Sequence, residues 1–342
     1  MSNILDAMVV GQGLAGTALA WALLERGATI EIYDPGLASA SSVAAGLVTP
    51  VTGRALRIEP GFAQDRAQAA AHYTNIERLV EARFWWPRPA LRIAQDGKHS
   101  QRLVERLAAP GAGLTDTKEP PAESFRDVAA CAAMPDAARL DVAAYVAASR
   151  QEFRHRGLFV DAALAPDDVS IDPDTGLIQS KGRPARHLIW CRGYQDADNP
   201  WLPEDALSPA KGEIIDLRIP NWDISCVTHC AGHWLLPPDS AGLCAFGATY
   251  DHDDISIMPT QAARQRLEFR ARELLAVDFE VVGQRAGIRP VGAKRRPITG
   301  CHPVHRQIMM LNGLGSKGVL WAPREAARLA DMIVGRAQLQ SP

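Results

Sequence analysis

The first residues in this chain with spacing suited to chemistry are three glycines and a carboxylate. Gly11-x-Gly13-x-x-Gly16 follows the apolar run Ala7 to Val10 and leads into Ala15, Ala18, Leu19, Ala22 and Leu23. The run reads as a strand buried on both faces, and the i, i+3, i+4, i+7 recurrence as a helix that Gly27 stops. In a strand–turn–helix unit Gly11 makes the tight turn, Gly13 leaves room for a pyrophosphate against the backbone, and Gly16 lets helix and strand pack closely. The free N–H groups at the helix start, on Leu14 and Ala15, face the phosphates. A second strand, Thr29 to Tyr33, ends in Asp34, where a carboxylate accepts from a ribose hydroxyl. The pattern predicts dinucleotide binding and suits NAD and FAD equally.

A second glycine loop closes the sequence. Gln307 to Leu311 reads as a buried strand that runs into Asn312-Gly313-Leu314-Gly315-Ser316-Lys317-Gly318, then Val319, Leu320 and Pro323 near a helix start. Gly313-x-Gly315-x-x-Gly318 repeats the fingerprint, but no following strand with a ribose carboxylate fits before Pro342. What remains is a helix N-terminus aimed at something negative or electron-rich. A flavin fits, because its N1–C2=O edge gains negative charge on reduction. The alternative is a C-terminal capping turn.

Composition sets the frame for these loops. A chain of 342 residues suggests about two domains, and a hydrophobic share of 47% is enough for real cores. With 37 Lys+Arg against 39 Asp+Glu, a net charge of -2 gives no field for tracking a phosphate backbone, so nucleic acid is not an expected partner. Six cysteines are too sparse for a disulfide scaffold, and reduced thiols in a cytoplasmic protein are expected. Ala7 to Leu24 carries no charge, yet three glycines and Gln12 interrupt it and no basic n-region frames it. It is read as soluble, with no membrane span.

Four landmarks in order resemble the FAD-dependent D-amino acid oxidase family, which includes glycine oxidase, sarcosine oxidase and the oxidase domain of a tRNA-modifying enzyme. They are the opening glycine motif with Asp34; Ser41-Ser42-Val43-Ala44-Ala45-Gly46-Leu47; Leu188-Ile189-Trp190-Cys191-Arg192-Gly193; and Gly287-Ile288-Arg289-Pro290 through Pro297-Ile298-Thr299-Gly300 to the Gly313–Pro323 loop. The resemblance covers essentially the whole chain. It implies an α/β fold, a Rossmann-type FAD-binding domain with an inserted strand-rich α+β substrate domain. It further implies that Ser41 and Ser42 meet the pyrophosphate, that the backbone of Ala45, Gly46 and Leu47 lies against the isoalloxazine, that Val169 contacts the adenine side, and that Gly193 closes the strand beneath the coenzyme. Gly313, Gly315, Ser316, Lys317, Gly318, Val319 and Leu320 would border the ring, with Lys317 stabilising its reduced form. Arg289 would clamp a substrate carboxylate, a task suited to a guanidinium fork; a surface salt bridge is the plainer reading of the same residue.

Two departures from the family stand out. Lys294-Arg295-Arg296 precedes Pro297, where relatives often carry an acid; with Arg285 and Arg289 it makes a basic segment, either for a substrate with more than one negative group or as a solvated face. Trp234 stands near the position where several relatives place an active-site tyrosine, so an aromatic contact persists without a phenol donor.

The FAD-binding domain is expected from residues 1–84, 139–207 and 285–342, and the substrate domain from 85–138 and 208–284. Helices are expected at Gly61 to Arg83, at Asp141 to Arg156 with Asp141 as N-cap, and near Thr260 to Leu274. Strands are expected at Ala90 to Ala94, Lys211 to Leu217 and Leu243 to Thr249. Ala109 to Gly113 and Glu119-Pro120-Pro121 read as surface loops. Cys226, His229, Cys230 and His233 suggest zinc, but a strand puts His229 on the face opposite the cysteines, and no metal is expected. Asp251 to Asp254 reads as a solvated turn, and Trp85-Trp86-Pro87 as packing at the domain junction.

The expected activity is FAD-dependent oxidation of a C–N bond in a small, carboxylate-bearing amine or amino acid. Hydride passes to flavin N5, and dioxygen, a quinone or another acceptor takes the electrons. A 2-hydroxy acid as substrate is the near alternative; it requires a base for the O–H proton, for which His233 or His229 would serve. A non-catalytic dinucleotide-binding module is the distant one.

Overall fold

The computed structural model describes residues 4–37, 39–53, 55–117 and 123–339. Its principal strands are, in chain order, β1 (Leu5–Val10), β2 (Ile30–Tyr33), β3 (Ala90–Ala94), β4 (Ala130–Met134), β5 (Phe159–Val160), β6 (Ala185–Trp190), β7 (Ala210–Arg218), β8 (Val227–Cys230), β9 (His233–Leu235), β10 (Leu243–Gly247), β11 (Glu280–Arg289) and β12 (Ile308–Asn312). The helices are α1 (Leu14–Glu25), α2 (Ala40–Val43), α3 (Phe62–Val80), α4 (Gly97–Ala108), α5 (Val142–His155), α6 (Gln261–Leu274) and α7 (Gly318–Leu339).

The order β5, β2, β1, β6, β12 makes a parallel sheet, to which Ile298–Cys301 adds an antiparallel strand. Burial on both sides explains why β1 is so apolar: Ala7 and Val9 pack with Trp21, Tyr73 and Phe153 under the helices, while Met8 and Val10 pack with Leu164, Val169 and Trp190. The chain leaves β1 through α1 to β2 on one side, and β6 flanks β1 on the other. A crevice therefore opens at the carboxyl ends of the strands where the order reverses.

The second large sheet runs β11, β7, β10, β9, β8, β3, β4, then Thr115–Asp116, antiparallel except where β8 lies beside β3. On one face α6 buries Leu267, Ala271 and Leu274 against Ile215, Leu217 and Phe246. The other face carries Ile214, Trp234 and Ala245 toward Val43, Ala45 and Leu47, the segment that follows β2. The small sheet of Leu47–Val48, Ala138–Leu140 and Trp85–Trp86 joins the two layers.

Local rules account for several boundaries. Asp141 accepts from Ala144 N–H at 3.0 Å at the start of α5, and Thr260 from Ala263 N–H at 3.2 Å at the start of α6. The unforeseen α4 starts the same way, with Asp96 accepting from His99 N–H at 2.7 Å. Pro323 stands inside α7 instead of near its first residue. Strand β10 stops at Gly247, short of Thr249, and residue 285 lies within β11, the edge strand of the second sheet. Glu119-Pro120-Pro121 lies outside the described residues. Among the described residues, no helix is long and apolar enough to cross a membrane.

Candidate active site

The glycines at the crevice divide by what an added Cβ would meet. At Gly11 (φ +97°) it would stand 2.6 Å from Cys191 O, at Gly16 1.9 Å from Gly11 O, at Gly46 (φ +72°) 1.8 Å from Leu140 O, and at Gly313 (φ +70°) 2.9 Å from Gly292 Cα. These four are required by close backbone packing. At Gly13 it would meet the Ser41 hydroxyl alone, at 3.1 Å; at Gly193 only Pro290, at 3.9 Å; at Gly315 only Val291, at 4.0 Å. Those three border open space, so side chains there would fill the cradle that a bound dinucleotide needs.

Helix α1 begins at this cradle. Leu14 N–H donates to Ser41 Oγ at 2.9 Å, which puts one of the paired serines over the helix start beside Ala15. Ser42 is exposed and turned into its own cap, donating to Ser39 O at 2.7 Å. Asp34 accepts from Gln12 N–H at 2.6 Å, Gly36 N–H at 2.7 Å and Arg150 Nη2 at 2.9 Å, and Arg150 Nε reaches Gln12 Oε1 at 2.5 Å. Arg150 was not foreseen: it comes from α5, between the buried Ser149 and Phe153, and no local pattern ties it to Asp34. Val169 is buried with Tyr33 and Leu164 on the far side of the sheet.

The two glycine loops lie side by side. A Cβ on Gly318 would stand 2.9 Å from Leu14 Cδ2, so α7 starts against the first residue of α1. Asn312 Nδ2 donates to Gly193 O at 3.0 Å and to the buried Asp196 at 2.9 Å, and Gly315 N–H donates to Pro290 O at 2.8 Å. The ends of β6, β11 and β12 are thereby locked together. Ser316 is exposed, and Val319 and Leu320 are buried in the first turn of α7. The Lys317 ammonium forms an ion pair with the buried carboxylate of Glu59, another residue not foreseen. Leu140 N–H donates to Gly46 O at 2.9 Å and Arg139 Nε to Ala45 O at 3.3 Å, which pins Ala45–Leu47.

Across the crevice, registers align Ile214 with Gly247, Gly247 with Trp234, Trp234 with His229 and His229 with Arg92. Residues directly opposite share a face, and this row looks toward α2. Arg289 shares that face. Its guanidinium lies over Gly212, 2.2 Å from where a Cβ would stand, donates to Thr249 O at 3.3 Å, and sits 5.2 Å from the Tyr250 ring. Among the described residues it has no carboxylate in ion-pair range, and burial lowers its pKa. Gly287 carries the same strand past Val43, at 3.3 Å from a Cβ there. The Trp234 ring covers Gly247, at 3.0 Å from a Cβ there.

Further along the row, Arg92 is buried and gives Nη1 and Nη2 to Gly53 O and Val51 O at 3.2 and 3.0 Å, its pKa pushed down to about 10 by burial. Among the described residues the enclosed His229 Nε2 has no hydrogen-bond partner; burial and then Arg92 push its pKa down to about 3. His233 points the other way and stacks on Phe246 at 5.6 Å. The cysteines Cys226 and Cys230 pack on that same opposite face. Lys294, Arg295 and Arg296 are exposed.

The pattern of the family described as FAD dependent oxidoreductase matches residues 6–332. A tRNA 5-methylaminomethyl-2-thiouridine biosynthesis bifunctional protein of Marinobacter nauticus is 26% identical over 95% of this chain and 55% of its own length. The chain thus spans about half the length of the curated relatives it matches. A glycine oxidase from Geobacillus kaustophilus superposes with TM-score 0.82 at 19% identity, covering 98% of this chain and 95% of that one. An iminodiacetate oxidase from Chelativorans superposes with TM-score 0.81 at 22% identity, covering 96% and 95%. These two likenesses are of fold.

Proposed function

The chain belongs to the family of FAD-dependent oxidoreductases, and from that premise we propose that it oxidises a C–N bond of a small, carboxylate-bearing amine or amino acid. One observation carries the reading: the Arg289 guanidinium, without a carboxylate partner among the described residues, lies on the sheet face that meets Val43 and Ala45. A fork of N–H donors grips a carboxylate by two parallel bonds and so fixes which Cα–H is presented. The fold neighbours are named for glycine and for iminodiacetate, both carboxylate-bearing amines.

FAD, when bound, supplies the electron sink, accepting hydride from the carbon that bears nitrogen and yielding the electrons to dioxygen or another acceptor. The chain's own contribution is binding and orientation. Gly13, Gly193 and Gly315 leave the coenzyme its space, Ala15 offers a helix N–H group beside Ser41 and Ser42 for the pyrophosphate while Leu14 N–H, already given to Ser41 Oγ, fixes that serine there, Asp34 takes the ribose, and Val169 the adenine side. Gly11, Gly16, Gly46 and Gly313 hold the backbone in shape. Ala45, Leu47, Ser316, Lys317, Gly318, Val319 and Leu320 border the ring, and Trp234 walls the pocket against water. A neutral amine needs no protein base, which accords with His229 being so weak a base. Six cysteines, too sparse in a chain of 342 residues for a disulfide scaffold, support a reducing, cytoplasmic setting.

The test is a panel of amines, amino acids and 2-hydroxy acids read by flavin bleaching without oxygen, then by peroxide on readmission. Bleaching by amines that carry an α-carboxylate supports the reading; bleaching by 2-hydroxy acids alone refutes it. A second reading, an amine borne on RNA, is favoured by the exposed run Lys294-Arg295-Arg296 five residues past Arg289, and by the name of the Marinobacter relative. It predicts reduction by modified RNA with a steep salt dependence and none by free amino acids.

A further inference from the structure

We propose that Glu59 is a positioning residue that sets the oxidising strength of the coenzyme through Lys317. This rests on the reading that the Gly313–Gly318 loop borders the pyrimidine edge of FAD. The ion pair joins residues 258 positions apart. Glu59 is 8% exposed and fixed by its backbone, its N–H donating to Pro50 O at 3.1 Å and its carbonyl accepting from Phe62 N–H at 3.2 Å. It therefore stands where the hairpin of Val51–Thr52 and Arg57–Ile58 turns into α3. Lys317 is equally fixed: its carbonyl accepts from Leu320 N–H at 3.0 Å, and its ammonium lies 5.2 Å from the Trp321 ring centroid.

Two consequences follow from this geometry. The carboxylate holds the ammonium in one place, where a free lysine would sample many rotamers. It also offsets the positive charge that the ammonium presents to its surroundings. A lone cation at the pyrimidine edge would favour electron uptake strongly; a cation with a buried counter-charge favours it less. Glu59 would thus act on the coenzyme through Lys317 and touch neither coenzyme nor substrate.

The test uses the FAD-loaded protein with Glu59→Gln, Glu59→Asp and Lys317→Met, read by sulfite titration and by midpoint potential. Sulfite adds to the oxidised ring and leaves negative charge at the same edge, so it reports the field without substrate. Glu59→Gln should lower the sulfite Kd about tenfold and raise the potential, Lys317→Met should raise the Kd about tenfold and lower the potential, and Glu59→Asp should stay near wild type. If Glu59→Gln does not fold, the near-isosteric Glu59→Met takes its place. A neutral Glu59 variant with wild-type Kd, beside a shifted Lys317→Met, overturns the proposal and leaves the FAD reading standing. Wild-type values in both overturn the placement of the loop at the ring, and the proposal with it.

Discussion

The Tyr73 hydroxyl donates to Val319 O at 2.9 Å, and that carbonyl is the one that Pro323, four residues on, leaves without a helical N–H. Both residues are buried, and the Tyr73 ring stacks on Trp85 at 5.3 Å and meets Tyr145 edge-on at 5.1 Å. Helix α3 thereby completes the first turn of α7, next to the C-terminal glycine loop. Tyr73→Phe should cost about 1–3 kcal/mol, the penalty of a buried carbonyl left unpaired, seen as a lower Tm in thermal unfolding. Pro323→Ala restores the N–H, so the same Tyr73→Phe change should cost less in that background. Equal costs in both backgrounds would show that the bond does not stand in for the missing helical partner.

Gly13 and Gly16 lie three residues apart in one motif, yet they should fail differently. An alanine at Gly16 meets backbone at 1.9 Å and cannot be accommodated without separating α1 from the loop, whereas one at Gly13 meets only the Ser41 hydroxyl, at 3.1 Å. Gly16→Ala should abolish soluble folded protein. Gly13→Ala should give a folded protein, with an unchanged circular dichroism spectrum, that loses bound FAD on gel filtration. A fully yellow Gly13→Ala protein would remove that glycine from the coenzyme cradle.

What the sequence disclosed and what it hid divide along range. Spacing of glycines beside a strand and an amphipathic repeat is local, so β1, α1, β2, β12 and the caps Asp141 and Thr260 were legible. Helix α4 is equally local: Asp96 caps it and its apolar Leu103 and Leu107 recur at i, i+4, within a segment that is otherwise mostly polar. The partners Arg150 of Asp34 and Glu59 of Lys317 are set by tertiary approach over 116 and 258 residues, for which no periodicity exists. The row from Ile214 to Arg92 was hidden for the same reason: its members come from five strands whose register is fixed by packing, not by any one segment.

Arg289 offers a test in which function and stability part company. It is a largely enclosed cation with no ion-pair partner among the described residues, held by the Thr249 carbonyl and the Tyr250 ring, so its removal sets relief from burying a charge against the loss of one hydrogen bond. Arg289→Met should therefore leave Tm nearly unchanged while weakening carboxylate substrates by about a hundredfold or more, the loss of two charge-assisted hydrogen bonds at ~1.5 kcal/mol or more each. Arg289→Lys keeps charge but loses the fork, and should recover only part of the loss. Substrate affinity is read from anaerobic flavin bleaching. Unchanged affinity in Arg289→Met would dismiss the clamp.

Acid should loosen the helical side of the parallel sheet through His72. Its Nε2 lies 3.0 Å from the Tyr145 hydroxyl, and burial pushes its pKa down from the usual 6.5 to about 4. Between those values the unfolded chain takes up a proton that the folded protein refuses, so stability falls as pH falls through this window and levels off below it. The loss is on the order of 1–3 kcal/mol. Thermal unfolding of the FAD-loaded protein from pH 7 to 4.5 should show Tm descending more steeply in wild type than in His72→Gln, which has no imidazole to charge. Parallel curves would assign the acid sensitivity to other groups, with His229, whose pKa is held near 3, the next to test by the same substitution.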